Sequence, residues 1–254
     1  ANEVPREFKH IESIDFEHVW FSYDNNDVYA LEDFTLSIKA GEFIGIVGPS
    51  GSGKSTLLSL LMGLYKPTKG AIYINGIDIA NYDSSVLRHL MGYVFQQAYL
   101  FKGSIKDNLT LFDTSISYDD MVAAAKQVNL DSMIEQLPEG YHTPVGYLGS
   151  LLSDGQKQLL AFGRTLIRNT PILLLDEATA NIDSHTEKQI QASIENIRGS
   201  KTIVSIAHRL STVQDANKIV YMEYGKIIEK GSFEELINSK GAFYNLWSNQ
   251  QSGS

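Results

Sequence analysis

The residues most able to do chemistry form one run of nine, Gly48, Pro49, Ser50, Gly51, Ser52, Gly53, Lys54, Ser55 and Thr56. The run matches the pattern G-x-x-x-x-G-K-[ST], and it stands between an apolar stretch at 43–47 and a helical pattern at 57–64. Glycines let a backbone curl so that successive N–H groups point at one anion, and a following helix adds its free N–H groups. Lys54 would add a charge for the outer phosphates, and Ser55 a hydroxyl for Mg²⁺. The run predicts a nucleoside triphosphate site; a glycine-rich turn that binds nothing is the weaker alternative, because the Lys-Ser pair and both flanking elements are present.

A second group of polar residues follows two apolar runs. Asp176 and Glu177 end the run at 171–177, and His208 ends the run at 201–208. Ligands gather at the carboxyl ends of parallel strands, so these side chains should lie near the glycine-rich loop. Asp176 would hold Mg²⁺ through water, Glu177 would orient or deprotonate an attacking water, and His208 would contact the γ-phosphate. The structural alternatives are carboxylates that cap the next helix and a histidine that only packs.

A third candidate is a helix start. Ser153 is followed three residues later by Gln156, which is a capping box ahead of a helical pattern at 157–162. Locally this is only a cap. It also exposes a hydroxyl and Gly155 at a helix N-terminus, which can bind a second anion.

The surrounding pattern predicts the elements that position these groups. Strands are expected at 14–23, 30–38 and 90–95, with hairpins turning at Asn75-Gly76 and at Tyr224-Gly225. Helical patterns are expected over 105–137, where Ser117 is a plausible N-cap, over 186–197, and after Ser232, where a capping box begins a C-terminal helix. Two apolar runs at 171–177 and 201–208 are typical of buried parallel strands.

Composition limits the class of protein. The chain has 254 residues, 43% of them hydrophobic, which suits one large domain or two intimate ones. No stretch reaches the roughly 18 apolar residues of a membrane helix, and the polar start lacks a signal peptide. The missing initiator Met suggests that the chain was cut from a longer polypeptide. The absence of cysteine suits a reducing cytoplasm, and the net charge of -9 argues mildly against a nucleic-acid surface.

Taken together, the motifs resemble those of the nucleotide-binding domain of an ABC transporter over essentially the whole chain. The matching motifs are the Walker A loop at 48–56, the Walker B strand at 172–176 with Glu177, the signature at 152–156, the Q-loop Gln96, the D-loop Ala180-Asn181-Ile182-Asp183, and the switch His208. Tyr23 matches the aromatic residue that stacks on adenine, although it could be a strand-face aromatic. Gly146 and the run at 207–212 resemble exporter half-transporters rather than importers.

The resemblance implies an α/β P-loop NTPase, with a RecA-like core of mainly parallel sheet, an antiparallel β subdomain and an inserted helical subdomain. Within one domain at 1–254, it places the antiparallel part at 12–40 and 71–80, the core at 41–70, 81–97 and 166–240, and the helical part at 98–165.

The resemblance also implies an ATPase of an exporter at the cytoplasmic face of a bacterial cell membrane. Glu177, His208 and Gln96 would be catalytic, and Ser55, Gln96 and Asp176 would hold Mg²⁺. Two such domains, identical or different, would close around two ATP molecules, so that Ser153, Gly155 and Gln156 contact the partner's nucleotide, with Asp183 also at the nucleotide. Transmembrane domains would be the other partner and would choose the cargo, for example drugs, lipids or peptides; no nucleic acid is expected.

Three positions depart from the family pattern. Asp154 puts a carboxylate near the partner's triphosphate, which would weaken that site unless its side chain points away. Tyr147 stands where exporters commonly carry Glu, and Gly163 interrupts the signature helix at a cost of about 1 kcal/mol relative to Ala. Because Glu177 and His208 are intact, we expect hydrolysis, and a heterodimer is a fair hypothesis. The alternatives are a non-transport ABC ATPase acting on nucleic acid or ribosomes, and a P-loop kinase, which leaves the signature unexplained.

Overall fold

The computed structural model describes residues 5–94, 99–145, 152–177 and 183–253. Its strands are β1 (Ser13–Phe21), β2 (Leu31–Lys39), β3 (Phe43–Val47), β4 (Lys69–Ile74), β5 (Ile77–Asp78), β6 (Met91–Val94), β7 (Ile172–Asp176), β8 (Thr202–Ile206), β9 (Lys218–Glu223) and β10 (Lys226–Gly231). Its helices are α1 (Lys54–Leu61), α2 (Ser84–Leu90), α3 (Ile105–Thr110), α4 (Tyr118–Gln127), α5 (Asp131–Glu135), α6 (Asp154–Ile167), α7 (Ser184–Ile197), α8 (Phe233–Ser239) and α9 (Ala242–Ser252). None of these helices is long and apolar enough to cross a membrane.

A four-stranded antiparallel sheet has the order β2-β1-β4-β5. Its buried face is apolar because alternate residues point to one side; Ile14 of β1, for example, lies opposite Ile38 and Ile74 on its two neighbours. The turn between β4 and β5 has positive φ at both Asn75 and Gly76, as a type I′ turn requires. The predicted hairpin is therefore confirmed.

A six-stranded sheet has the order β10-β9-β3-β8-β7-β6. Strand β3 pairs in parallel with β8 on one side and with β9 on the other, and β7 pairs in parallel with β8, while β9 and β10 are antiparallel. All five residues of β3 and all five of β8 are buried, which explains why their sequences are continuous apolar runs. This is the mainly parallel sheet that the sequence predicts.

The helical elements differ from the prediction in their boundaries. The pattern at 105–137 is helical as predicted and contains three helices, α3, α4 and α5, because Leu111 and Asn129 between them have left-handed φ values of 53° and 60°. The helix after the glycine-rich loop begins at Lys54, three residues earlier than expected, because Gly53 ends the loop at φ 97°. The C-terminal pattern is two helices, α8 and α9, separated at Lys240, whose φ is 52°. Helix α2 was not predicted.

The chain divides into two compact units. The first comprises Ala1–Gly92, Thr170–Glu177 and Arg198–Ser254, and the second comprises Tyr93–Asn169 and Ala178–Ile197. The core of the first unit contains fully buried side chains such as Phe34, Ile44 and Phe243. The core of the second contains Ile134 and Leu159, which are also fully buried.

Candidate nucleotide-binding site

Three neighbouring strands of the first unit bring the predicted catalytic groups to one edge of the sheet. The glycine-rich loop follows β3, His208 follows β8, Asp176 ends β7, and Glu177 is the next residue. Since β3, β8 and β7 are adjacent and parallel, their carboxyl ends meet at the same edge. The charges of Lys54 and Asp176 both act on the imidazole of His208, as expected of neighbours in one site.

The glycine-rich loop passes too close to other backbone for side chains at two of its glycines. A Cβ on Gly48, whose φ is 148°, would overlap the carbonyl oxygen of Met222. A Cβ on Gly53 would come within 2.5 Å of the carbonyl oxygen of Ala30. Along the loop, Pro49, Ser50, Gly51 and Ser55 are exposed, whereas Ser52, Lys54 and Thr56 are buried. The loop is therefore a candidate anion site, which we call the cradle, and at these two glycines its wall is formed by backbone atoms rather than by side chains.

The donors of this cradle suit a polyanion. Lys54 is 5% exposed, and its Nζ donates to the carbonyl oxygens of Gly48 and Pro49, the latter at 3.3 Å. Burial lowers the pKa of Lys54, and the charge of Asp176 opposes that shift. The buried hydroxyl of Ser52 has no hydrogen-bond partner among the described residues. The first N–H groups of α1 likewise lack intrahelical acceptors. An anion with several oxygens would satisfy these donors together.

The residues proposed for Mg²⁺ offer oxygen ligands. Ser55 lies exposed in the first turn of α1, and Asp176 lies half-buried as the last residue of β7. A hydroxyl and a carboxylate are hard oxygen donors, which Mg²⁺ prefers when phosphates and water complete its shell. The donor set at this edge of the sheet therefore fits the ion.

Glu177 is a buried carboxylate, 8% exposed, held by the segment that follows β8. Its Oε2 accepts hydrogen bonds from the backbone N–H of His208 at 3.2 Å and from the hydroxyl of Thr212 at 2.9 Å. Its own N–H donates to the carbonyl of Ile206 at 2.9 Å, which continues the pairing of β7 with β8. A carboxylate fixed in this way can orient a water at the end of the sheet.

The imidazole of His208 is biased toward its neutral form. Burial lowers its pKa below the ordinary 6.5, the positive charge of Lys54 lowers it further, and Asp176 opposes the shift. A neutral imidazole has one donor and one acceptor nitrogen. His208 can therefore contact a phosphate oxygen and a water at the same time.

Tyr23 lies beside the phosphate-loop helix. Its hydroxyl is 2.8 Å from Oγ1 of Thr56, and its ring packs edge-to-face on Phe21 and on Tyr65. Tyr23 as a whole is 55% exposed, so it can be reached by a planar group. Because β1 ends at Phe21, Tyr23 stands in the following turn and not on a strand face; the predicted strand end at 23 lies two residues too late.

The signature residues lie in the second unit, at the start of α6. The capping box of Ser153 is complete: Oγ accepts from the N–H of Gln156 at 3.1 Å, and the side chain of Gln156 accepts from the N–H of Ser153 at 2.9 Å. The hydroxyl hydrogen of Ser153 can still donate to a further acceptor. The carboxylate of Asp154 is 92% exposed and lies 3.7 Å from Nζ of Lys157, which partly offsets its charge.

Two further residues of the second unit serve helix packing and capping. A Cβ on Gly155 would overlap the side chain of Thr186 in α7, with 2.6 Å to Cγ2. Oδ1 of Asp183 accepts from the N–H of Thr186 at 2.7 Å, and that hydrogen bond is the main cause of its lowered pKa. Asp183, predicted at the nucleotide, is thus seen capping the start of α7.

Gly163 has a structural role that offsets its expected cost. A Cβ there would come within 3.2 Å of Leu109 and 3.3 Å of Val128. The glycine therefore lets the residues around α3 and the end of α4 approach α6 closely.

Several predicted residues lie outside the described part of the chain. They are Gln96, Gly146, Tyr147, Ala180, Asn181 and Ile182. In contrast, the contact of Thr212 with Glu177 was missed by sequence reasoning. Its only sequence signal is its place in the run at 207–212, which indicated an exporter but assigned the threonine no partner.

Comparisons with known proteins agree on one family. The family model described as ABC transporter matches residues 31–180. The chain is 44% identical over 238 residues to a protein of Streptococcus pneumoniae described as an ABC transporter ATP-binding protein, exp8, covering 94% of this chain and 40% of that protein. It is also 44% identical to the toxin RTX-III translocation ATP-binding protein of Actinobacillus pleuropneumoniae, covering 92% of this chain and 33% of that one.

A solved structure supports the same placement. The structure of a bacterial Atm1-family ABC exporter with ATP bound superposes with a TM-score of 0.85 at 39% identity. The match covers 95% of this chain and 42% of the exporter chain. The chain thus spans less than half the length of the proteins it matches.

Proposed function

The chain belongs to the ABC transporter family, as an exporter-type nucleotide-binding domain, and we propose that it hydrolyses ATP to power export across a membrane. One observation carries the proposal. A buried carboxylate, Glu177, is held by two hydrogen bonds at the strand edge that also bears the glycine-rich loop, Asp176 and His208. A protein that only bound ATP would need the glycine-rich loop but no fixed carboxylate beside it. A carboxylate held in place there is suited to activating a water molecule for hydrolysis.

The residues would divide the work as follows. The loop N–H groups, Lys54 and the hydroxyl of Ser52 bind the phosphates, and Tyr23 stacks on adenine. Mg²⁺, held by Ser55, Asp176 and Gln96, would neutralise charge on the phosphate oxygens. Glu177 orients the attacking water and takes its proton, and His208 contacts the γ-phosphate.

The second unit would act on a different nucleotide. We propose that Ser153, Gly155 and Gln156 complete the ATP site of a partner domain, identical to this chain or not, with Asp183 nearby. The exposed hydroxyl at the start of α6 supports this role, because its hydrogen is free to donate beyond its own capping box. Transmembrane domains would be a further partner; they would bind the cargo and place this chain at the cytoplasmic face of the membrane.

The variant Glu177→Gln tests hydrolysis. It keeps the size of the side chain and an oxygen to accept from His208 and Thr212, but it removes the base. Turnover of ATP should fall by about 10² to 10⁴-fold, while ATP binding persists and an ATP-dependent dimer accumulates on size exclusion. Glu234→Gln, at an exposed position of α8, is the matched control and should hydrolyse ATP as the unmodified chain does.

Two results would contradict the proposal. If Glu177→Gln hydrolysed ATP at the unmodified rate, Glu177 would not be the base. If the unmodified chain released no phosphate from ATP at any concentration of chain, hydrolysis itself would be excluded.

A further inference from the structure

Helix α9 is fixed to the first unit along one face. Phe243, Trp247 and Gln250 are spaced at i, i+4 and i+7, so they lie on the same side of the helix. Phe243 is fully buried, and the ring of Phe233 packs edge-to-face on both Phe243 and Trp247. At the start of α9, Oε1 of Glu229 accepts from the first backbone N–H at 2.6 Å. The position of Gln250 is therefore set by packing two turns earlier.

The side-chain amide of Gln250 brackets the backbone that carries the switch histidine. Its Nε2 donates to the carbonyl oxygen of His208 at 2.7 Å, and its Oε1 accepts from the N–H of Leu210 at 3.1 Å. Such a pair of contacts requires one group that donates and accepts at once, which a primary amide does. Gln250 thus holds the first three residues of a segment, 208–212, that we call the switch segment.

The other side of the switch segment holds Glu177. The N–H of His208 donates to Oε2 of that carboxylate at 3.2 Å. The hydroxyl of Thr212 shares its one hydrogen between Oε2, at 2.9 Å, and the carbonyl oxygen of Arg209, at 2.8 Å. His208 is therefore the common member, bonded to Gln250 through its carbonyl and to Glu177 through its N–H. If the backbone at His208 moved, the N–H of His208 and, through the short switch segment, the hydroxyl of Thr212 would both shift relative to the carboxylate of Glu177.

We propose that Gln250 is a positioning residue for Glu177, acting through the switch segment. By fixing the backbone from His208 to Leu210, Gln250 keeps the N–H of His208 and the hydroxyl of Thr212 within hydrogen-bonding distance of Oε2. The carboxylate of Glu177 then keeps the orientation that it needs to act on the attacking water. The role rests on the proposed function, because it is a role in ATP hydrolysis. In this role, helix α9 contributes to ATP hydrolysis through Gln250 as well as to the stability of the fold.

The test compares three variants of the full chain, at a chain concentration where specific activity no longer rises. Gln250→Ala removes both contacts, and Gln250→Glu keeps the acceptor for Leu210 but loses the N–H donor to His208. Gln251→Ala, at the exposed next position, is the matched control. We expect kcat to fall about tenfold in Gln250→Ala, the loss expected for one or two hydrogen bonds. In Gln250→Glu it should fall at least as much, because a carboxylate oxygen would face the carbonyl oxygen of His208 and be repelled by it. KM for ATP should match that of Gln251→Ala, and Tm should fall by no more than the roughly 2–8 °C that two hydrogen bonds are worth.

The outcomes separate positioning from support of the fold. If kcat in both Gln250 variants equals that of Gln251→Ala, or if kcat, KM and Tm all change together, the positioning role is overturned. Gln250→Glu decides the matter if Gln250→Ala does not fold, because it preserves the size of the side chain. An unmodified chain without ATPase activity would overturn the proposed function itself, whereas an active chain indifferent to Gln250 would overturn this role alone.

Discussion

Adding one methyl group to the signature, in Gly155→Ala, should destabilise the second unit before any nucleotide is involved. The new Cβ would lie 2.8 Å from Cβ of Thr186 and 2.6 Å from its Cγ2, and would overlap its Oγ1. Rotating the Thr186 side chain cannot relieve the Cβ–Cβ contact. Nor can the start of α7 yield freely, because Asp183 holds the N–H of Thr186.

The size of the effect follows from these contacts. Carbon atoms pack at about 3.5–4.0 Å, so α6 and α7 would have to separate locally by about 1 Å. Overpacking of this kind costs about 1–3 kcal/mol, and replacing Gly by Ala in a helix returns at most about 1 kcal/mol. All three contacts with Thr186 would be shorter than 3.0 Å, so the upper part of the overpacking range, about 2–3 kcal/mol, applies. The net loss is then about 1–2 kcal/mol, which corresponds to a Tm lowered by about 2–8 °C in a chain of this size.

Thermal unfolding with a matched glycine gives the assay. In Gly163→Ala the new methyl meets the side-chain ends of Leu109 and Val128, at 3.2 and 3.3 Å, and the carbonyl oxygen of Ala124 at an ordinary 3.9 Å. Because these side-chain ends can shift, Tm should stay close to that of the unmodified chain. The double variant Gly155→Ala/Thr186→Ala removes two of the three contacts. It should recover part of the lost Tm without recovering ATPase activity, if Gly155 also faces a partner's nucleotide.

Two results would contradict the roles of Gly155, the first its role in packing and the second its contact with a nucleotide. If Gly155→Ala melts at or above the temperature of Gly163→Ala, the close approach of α6 and α7 does not limit stability. If instead the double variant recovers both Tm and ATPase activity, Gly155 acts through packing and not at a nucleotide.

Two further predictions concern the first unit. Tyr23→Ala should raise the Kd for ATP about tenfold or more through lost stacking, and Tyr23→Phe, which loses only the hydroxyl bonded to Thr56, should change it little; unchanged affinity in Tyr23→Ala, by fluorescent-nucleotide titration, would refute stacking. The lowered pKa of His208 means that the unfolded chain binds its proton first on acidification, so stability present above pH 6.5 is lost as the pH falls through the lower folded pKa. The Tm of His208→Gln should therefore vary less between pH 7.5 and 5 than that of the unmodified chain, and equal slopes would contradict the assignment.

Features that depend on near neighbours were predictable from the sequence. The Asn75-Gly76 turn, the cap at Ser117 and the capping box from Ser153 to Gln156 each need residues no more than three positions apart. The strands that end at Asp176 and before His208 were visible as apolar runs, because both faces of these strands are buried.

Features that depend on contacts between residues far apart in the chain could not be predicted from the sequence. The hydroxyl of Thr212 meets Glu177 across 35 positions, and the amide of Gln250 meets His208 across 42. Each residue is unremarkable in its local pattern, so only the packed chain shows its partner. The role of Gly163 was missed for a different reason. Helix propensity gives the cost of a glycine in a helix considered alone, but the residues that pack closely against Gly163 belong to or adjoin other helices.

The strand order of the large sheet also sets when the site can exist during synthesis. Strand β3, which feeds the glycine-rich loop, is completely buried and pairs only with β8 and β9 among the described strands. The nearer of these begins about 155 residues after β3 ends. At about 5–20 residues per second, a ribosome needs roughly 10–30 s to make that length.

During that interval the apolar segment of β3 has neither β8 nor β9 to pair with. The glycine-rich loop that follows it has been made, but the sheet that holds the loop in place has not. Unpaired apolar edges of this kind are where growing chains associate wrongly. The sheet that positions the first motif therefore forms only after about the last fifth of the chain, which contains β8 and β9, has been made. Synthesis that stops before β8 would leave an intact Walker A sequence without the parallel sheet that positions it.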